Sequence, residues 1–127
     1  QYFHQMTDKS FSGLRADFDD KGEPVIKGAR PDGALLGVEE MSDGSRDQLF
    51  LSLRLGGLAR FVRNNGPMPF IVDDVLVHFD DQRAAAALAT LGKLGEKTQI
   101  IFFTHHRHLV ELAKETLPQG IFNVHYL

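Results

Sequence analysis

Two short, unbroken apolar runs set the frame for this chain. Phe70-Ile71-Val72 stops at two carboxylates, Asp73-Asp74, and Ile100-Ile101-Phe102-Phe103 stops at Thr104-His105. Runs without polar alternation belong to strands buried on both faces, as in a parallel sheet. Between them, Asp80-Asp81 caps a helix expected to reach about Leu94. Ala-rich sequence supplies its propensity, Leu88 and Leu91 its apolar stripe, and Gly95 its stop. A second helix is expected from about Arg107 to Glu115, and after Pro118 a last strand from Ile121 to Tyr126. Strand, helix, strand, helix, strand at this spacing predicts an α/β layer with a mainly parallel sheet.

Upstream, residues 1–10 read as weakly helical or irregular. A hairpin follows: Phe11 to Phe18, a turn at Asp19-Asp20-Lys21-Gly22, and a returning strand at Pro24-Val25-Ile26-Lys27. Glycines and Pro31 predict a loop from Gly28 to Gly37. A helix is expected from Ser45 to Arg63. Leu49, Phe50, Leu53, Gly57 and Phe61 fall three and four apart and so share one face. Gly56-Gly57 costs that helix about 1 kcal/mol per glycine, which close packing against another element would explain. Asn64-Asn65-Gly66-Pro67 ends it.

Composition narrows the chemistry mainly by exclusion. The 127 residues are 43% hydrophobic, enough for a core, so the chain is one domain or part of one. There is no cysteine, which removes disulfides, thiolate metal sites and cysteine nucleophiles. The 14 basic residues are dispersed and the formal net charge is −3, so no autonomous nucleic-acid patch is indicated. No apolar run approaches the roughly 18 residues of a membrane-spanning helix, and no membrane association is expected. Gln1-Tyr2-Phe3-His4 has neither an initiator Met nor the pattern of a signal or transit peptide. The expectation is a stretch of a longer protein in a reducing, cytoplasmic setting.

Three polar clusters sit where open α/β sheets place ligands, at the carboxyl ends of strands and at helix N-termini. The first is Met41-Ser42-Asp43-Gly44-Ser45-Arg46-Asp47-Gln48. A helix N-terminus attracts anions, Gly44 permits a close approach to phosphate, and the Ser42 and Ser45 hydroxyls add donors. Read alone, the same residues make an ordinary N-cap. In the second, Asp73-Asp74, adjacent carboxylates at the end of a buried strand suit a magnesium ion, and equally suit a solvated turn. The third is Thr104-His105-His106-Arg107-His108. A histidine at a strand end can sense a phosphoryl group or carry a proton. The spacing of His105 and His108 also admits zinc, given further ligands from His78 or the aspartates.

In this order the series resembles the C-terminal lobe of an ABC-type ATPase head, within the α/β class of P-loop NTPases. Met41-Ser42-Asp43-Gly44-Ser45 resembles the signature motif and Phe70 to Asp74 the Walker B strand. Phe79-Asp80 resembles the D-loop, and Thr104-His105 the switch-histidine motif. The stretches from Ser45 to Leu55, from Phe70 to Asp81 and from Phe103 to Ala113 are similar to the YhaN-like ATPases, large coiled-coil relatives of the SMC proteins. The leading hairpin also resembles the segment that follows the coiled coil in those proteins. On this resemblance 1–127 is a single partial domain. Residues 1–40 form the hairpin and loop leading in, and 41–127 carry the four motifs.

The resemblance implies that Asp73 holds Mg2+ and that Asp74 stands where most such enzymes position the attacking water with Glu. It implies that His105 contacts the terminal phosphate, and that Ser42, Gly44 and Ser45 bind the terminal phosphate of ATP on a second head. Asp80 would lie at the contact between the heads. Asp43 departs from the small residue of the commonest signature, and Asp74 is one methylene shorter than Glu. No G-x-x-x-x-G-K-[ST] occurs, so nothing here wraps the α- and β-phosphates. In the family that loop lies on an N-terminal lobe across a long coiled coil. The implied partners are therefore that Walker A lobe and a second head as a homodimer, with DNA and a nuclease subunit in the whole protein's work. The chain alone is expected to hydrolyse no ATP. The alternatives are a non-catalytic ABC-like pairing module and, furthest from the resemblance, a metal-dependent hydrolase built on Asp73, Asp74 and the histidines.

Overall fold

A computed structural model describes residues 1–7 and 9–127. Helix α1 (Tyr2–Met6) leads into an antiparallel meander of β1 (Gly13–Phe18), β2 (Pro24–Ala29) and the short β3 (Leu35–Leu36). Next come a 3-10 turn (Val38–Glu40) and the long helix α2 (Asp43–Asn65). The α/β layer follows as β4 (Phe70–Asp73), α3 (Asp81–Gly95), β5 (Ile100–Phe103) and α4 (Arg107–Thr116). Strands β4 and β5 are parallel, as expected of the apolar runs.

The hairpin turn is held by one side chain. Asp19 accepts from the backbone N–H of Lys21 at 2.8 Å and of Glu23 at 2.9 Å, a local alternative to ladder bonding that Asp favours in turns. The returning strand runs further than Lys27, because Gly28 and Ala29 pair with Leu36 and Leu35. The expected loop thus contains a third strand. Two residues are too few for alternation to show in the sequence. Beneath the meander Phe3, Phe11, Met41 and Leu49 form a small core, with the Phe3 and Phe11 rings 4.9 Å apart.

The register of the parallel pair is fixed from both ends. At the start, Met68 N–H donates to Thr98 Oγ1 at 2.9 Å and the Thr98 hydroxyl donates back to the Met68 carbonyl. At the finish, Asp74 N–H donates to the Phe103 carbonyl at 2.8 Å. Asp73 therefore stands opposite Phe103, and both strands deliver their polar residues to the same end of the sheet.

One face of this sheet is covered and the other is not. Val72 is 1% exposed, and Phe70, Ile100 and Phe102 pack with it against the main core, where Leu55, Ala87 and Leu91 are buried. On the opposite face Ile71 is 58% exposed and Phe103 45%. The runs predict burial on both sides, but among the described residues nothing covers the second.

Helix α2 begins two residues before Ser45 and ends at Asn65, where Gly66 takes a φ of 94°, a left-handed turn open to glycine. Its buried stripe differs from the expected one. Leu49 is buried, but Phe50, Leu53 and Phe61 are exposed, and Leu51, Leu55 and Leu58 face the core instead. The helix carries apolar residues around more than one side, so the neighbours decide which side is buried. Nor does close packing explain the glycine pair: Gly57 has open space beside it, and Gly56 only the ring edge of Tyr2 at 4.0 Å.

The last expected strand, Ile121 to Tyr126, is absent, and residues 121–127 run without a ladder. After Gly120, at a φ of 84°, the chain crosses α3, where Leu117 and Ile121 rest on Gly92. Phe122 packs on the main core and Tyr126 is left 70% exposed. The tail is thus drawn over a helix rather than along a strand edge, and a strand without a partner leaves its backbone unpaired.

Candidate nucleotide site

At the sheet end, Asp74 is the most constrained residue. It leaves β4 at a φ of 47°, a left-handed conformation that Asp tolerates better than most side chains. Its Oδ1 accepts from Thr104 Oγ1 at 3.1 Å, and His106 Nε2 lies 3.7 Å from its Oδ2. Thr104 in turn accepts the backbone N–H of His106 at 3.0 Å. Both carboxylate oxygens therefore face the exit of β5. Asp73 and His105 are exposed and make no such bonds among the described residues. The histidine beside the carboxylate is His106, while His105 is exposed at the exit of β5.

The second cluster is the start of α2. Ser42 is its N-cap, with Oγ accepting the Ser45 N–H at 3.2 Å and contacting Ser45 Oγ at 3.0 Å. Ser45 is 7% exposed and Gly44 is buried, so of the three predicted phosphate contacts only Ser42 stands at the surface. Arg46 ties this turn down by donating to the carbonyls of Val38 and Met41 at 3.3 and 3.4 Å. Asp43 is outside, its carboxylate 3.9 Å from Arg46 and its side chain 81% exposed. Gln48 is fully buried and donates to the Met6 carbonyl, fastening α1 to α2.

Asp80 caps α3, accepting from Arg83 N–H at 2.8 Å, and its second oxygen lies 3.5 Å from Arg83 Nε. The Arg83 guanidinium reaches on to Ser42 Oγ at 3.5 Å. His78 Nδ1 meets Asp47 Oδ2 at 2.6 Å. An open hollow of about 350 Å3 between α2 and the exit of β4 is lined by Asp47, Phe50, Arg54, Asp74 and His78 among others. The aspartate of the strand end and the first turns of α2 therefore share one opening.

Neither the His78–Asp47 bond nor the Arg83–Ser42 contact is visible in the sequence, because each joins residues more than thirty positions apart. Only the spacing of Asp80 and Arg83, three apart across a cap, is a local signal. His108 does not join His105 in a zinc set. It pairs with Asp81 at 2.7 Å, and that carboxylate raises its pKa above the ordinary imidazole value. Among the described residues no three His, Asp or Glu side chains gather as a metal cage, and no helix is long and apolar enough to cross a membrane.

Two parallel strands thus end together in Asp-Asp and Thr-His, beside a capped helix N-terminus. Comparison with known proteins narrows this. No protein-family model matches the chain. It is 32% identical over 110 residues to the uncharacterized protein YhaN of Bacillus subtilis, covering 86% of this chain and 11% of that protein. It is 31% identical over 104 residues to the DNA double-strand break repair Rad50 ATPase of Methanocaldococcus jannaschii, covering 82% of this chain and 10% of that one. A solved structure from work on ATP-driven dimerization and DNA-stimulated activation of SMC ATPases aligns with a TM-score of 0.64 at 16% identity, over 88% of this chain and 70% of that one. The SMC head domain of Thermotoga maritima aligns with a TM-score of 0.59 at 21% identity, over 88% of this chain and 39% of that one. The chain is the C-terminal lobe of an SMC-like ATPase head, of the YhaN and Rad50 kind. It spans about a tenth of the length of the curated relatives it matches.

Proposed function

We propose that this lobe supplies half of an ATP-hydrolysing site, completed by a phosphate-loop lobe of the same parent protein, and that two such heads pair over ATP. The observation that carries the reading is the sheet end. The parallel register sets Asp73 opposite Phe103, so Asp73-Asp74 and Thr104-His105 converge at one place.

Within that reading each side chain has a separable task. Asp74, held at one oxygen by Thr104, orients the attacking water and draws on its proton. His105, exposed at the end of β5, donates to the terminal phosphate. Ser42 and the free N–H groups of α2 receive that phosphate from a partner head, where a helix N-terminus favours negative charge. Asp80 lies at the contact between heads. Asp73 is an exposed carboxylate at the strand end, unpaired among the described residues, a donor that fits Mg2+, which takes oxygen ligands and keeps several waters. Bound there with ATP, the ion would neutralise phosphate charge. Catalysis of this kind is positioning and charge stabilisation, which short side chains and backbone groups supply.

The uncovered apolar face has a place in the same reading. Ile71 and Phe103, on the bare face of the sheet, are the surface against which the phosphate-loop lobe packs. We assign residues 1–40 to the lead-in from the coiled coil and 41–127 to the catalytic half. For the parent protein we propose a role in DNA repair or chromosome maintenance, in keeping with the similarity to a DNA double-strand break repair Rad50 ATPase, with a nuclease subunit as partner. Asp43, exposed beside the phosphate-facing turn, favours a second reading, a pairing module that engages a complete head without hydrolysing ATP itself.

The test is substitution in the whole ATPase. Asp74→Asn removes charge with little change of shape. It is expected to lower turnover by about 10²–10⁴-fold while ATP binding persists. Ser42→Arg is expected to block pairing and leave ATP binding by each head intact. Normal hydrolysis in both variants would assign these residues to structure alone.

A further inference from the structure

The turn that starts α2 and the segment that starts α3 are far apart in sequence, yet two polar contacts and one close backbone approach join them. His78 meets Asp47 at 2.6 Å. Arg83 spans two partners, with Nε 3.5 Å from Asp80 and Nη1 3.5 Å from Ser42 Oγ. Gly44 closes the set from beneath. A Cβ there would collide with Arg83 Nη1 and lie 3.1 Å from the His78 carbonyl oxygen. A side chain at 44 would thus displace the Arg83 guanidinium and crowd the His78 carbonyl, before any phosphate is considered.

The choice of residue types supports a positioning role. Arginine presents several donors in a fixed planar fork, so one side chain can hold a carboxylate and a hydroxyl at a set separation. Lysine, a point charge on a flexible stem, cannot. His78 lies in the turn after β4, directly between Asp74 and Asp80 in sequence. Its bond to Asp47 fixes that turn to the second helical position beyond Ser45. Ser42 and Asp80 are therefore the two ends of a short bracket whose rungs are Arg83 and the His78–Asp47 pair.

We propose that Arg83 and the His78–Asp47 pair are positioning residues that lock residues 42–47 and 78–83 into one rigid unit. Ser42 and Asp80 then meet an engaging head at a fixed separation. The inference rests on the head-pairing reading above and adds to it a device within each head. Ligand-dependent pairing would gain from it by preorganisation, because a bracket already rigid loses less entropy on docking.

The experiment is ATP-dependent pairing of the whole ATPase, followed by sedimentation with a non-hydrolysed ATP analogue, beside nucleotide affinity measured where heads stay apart. Arg83→Gln is expected to weaken pairing by about tenfold, within the range of coupling between contacting groups. Arg83→Lys should recover only part of this, and nucleotide affinity of separate heads should not move. For the other rung, His78→Gln, Asp47→Asn and the double variant should weaken pairing equally, since either single change already breaks the one bond. Unchanged pairing in Arg83→Gln and His78→Gln, with pairing abolished in Ser42→Arg, would overturn the bracket and keep the pairing reading. Additive losses in the Asp47–His78 cycle would overturn the coupling of that pair. Full pairing in Ser42→Arg would remove the pairing reading, and the bracket with it. A thermal midpoint for each variant confirms that the fold is retained.

Discussion

The two faces of the β4–β5 sheet carry the same kind of residue and meet opposite fates. Val72 on one face is 1% exposed and Ile71 on the other is 58% exposed. The difference does not lie in the side chains, since both are β-branched and apolar. It lies in what the chain can bring to each face. Helices α2, α3 and α4 come from this sequence and fill one side; among the described residues nothing covers the other. A lobe can thus be well packed where its own chain returns and bare where a partner is needed, and periodicity reports only that a surface is apolar.

The largest expected effect tests that contrast in stability. Leu55 is fully buried, and Leu55→Ala should cost about 2–5 kcal/mol in urea unfolding of this chain, through lost burial and the cavity left. Ile71→Ala, at a position 58% exposed on the other face, should stay within about 0.5 kcal/mol. Repeating the pair in the assembled head sharpens the comparison: Ile71→Ala should become costly there if the phosphate-loop lobe covers it. Equal costs in the isolated chain would break the distinction between the faces.

A smaller effect belongs to the capped turn. Ser42→Ala removes the acceptor for the Ser45 N–H and should cost about 1 kcal/mol in the same unfolding measurement. The smallest effect is pH-dependent. His108 is paired with Asp81 and its pKa is raised in the fold. The group binds its proton more tightly folded than unfolded. Its contribution is therefore fully present below the ordinary imidazole pKa and is lost as pH rises through the folded value. The pair is exposed, so the slope should be shallow, and His108→Gln should remove it. A pH titration of the thermal midpoint for both proteins reads this directly.

Much of the site was readable from the chain because its pieces are local. Asp73-Asp74 and Thr104-His105 each follow an apolar run at once, so finding the strands finds the carboxylates and the histidine. The caps Ser42 and Asp80 are likewise signalled by residue type next to a helical pattern. What sequence could not supply was contact at a distance. The His78–Asp47 bond, the reach of Arg83 and the approach of His106 rather than His105 to Asp74 depend on how the elements pack. The stripe of α2 and the tail after Pro118 failed for a related reason. Their apolar residues allow more than one partner, and α3 took the tail at Gly92.

On the proposed function, this chain holds half of an ATP site. The most direct test is steady-state ATP hydrolysis by three samples: this chain, the phosphate-loop lobe of its parent protein, and the isolated complex of the two. Turnover is expected from the complex alone, abolished by Asp74→Asn. Hydrolysis by this chain by itself, or undiminished hydrolysis by the Asp74→Asn complex, would contradict it.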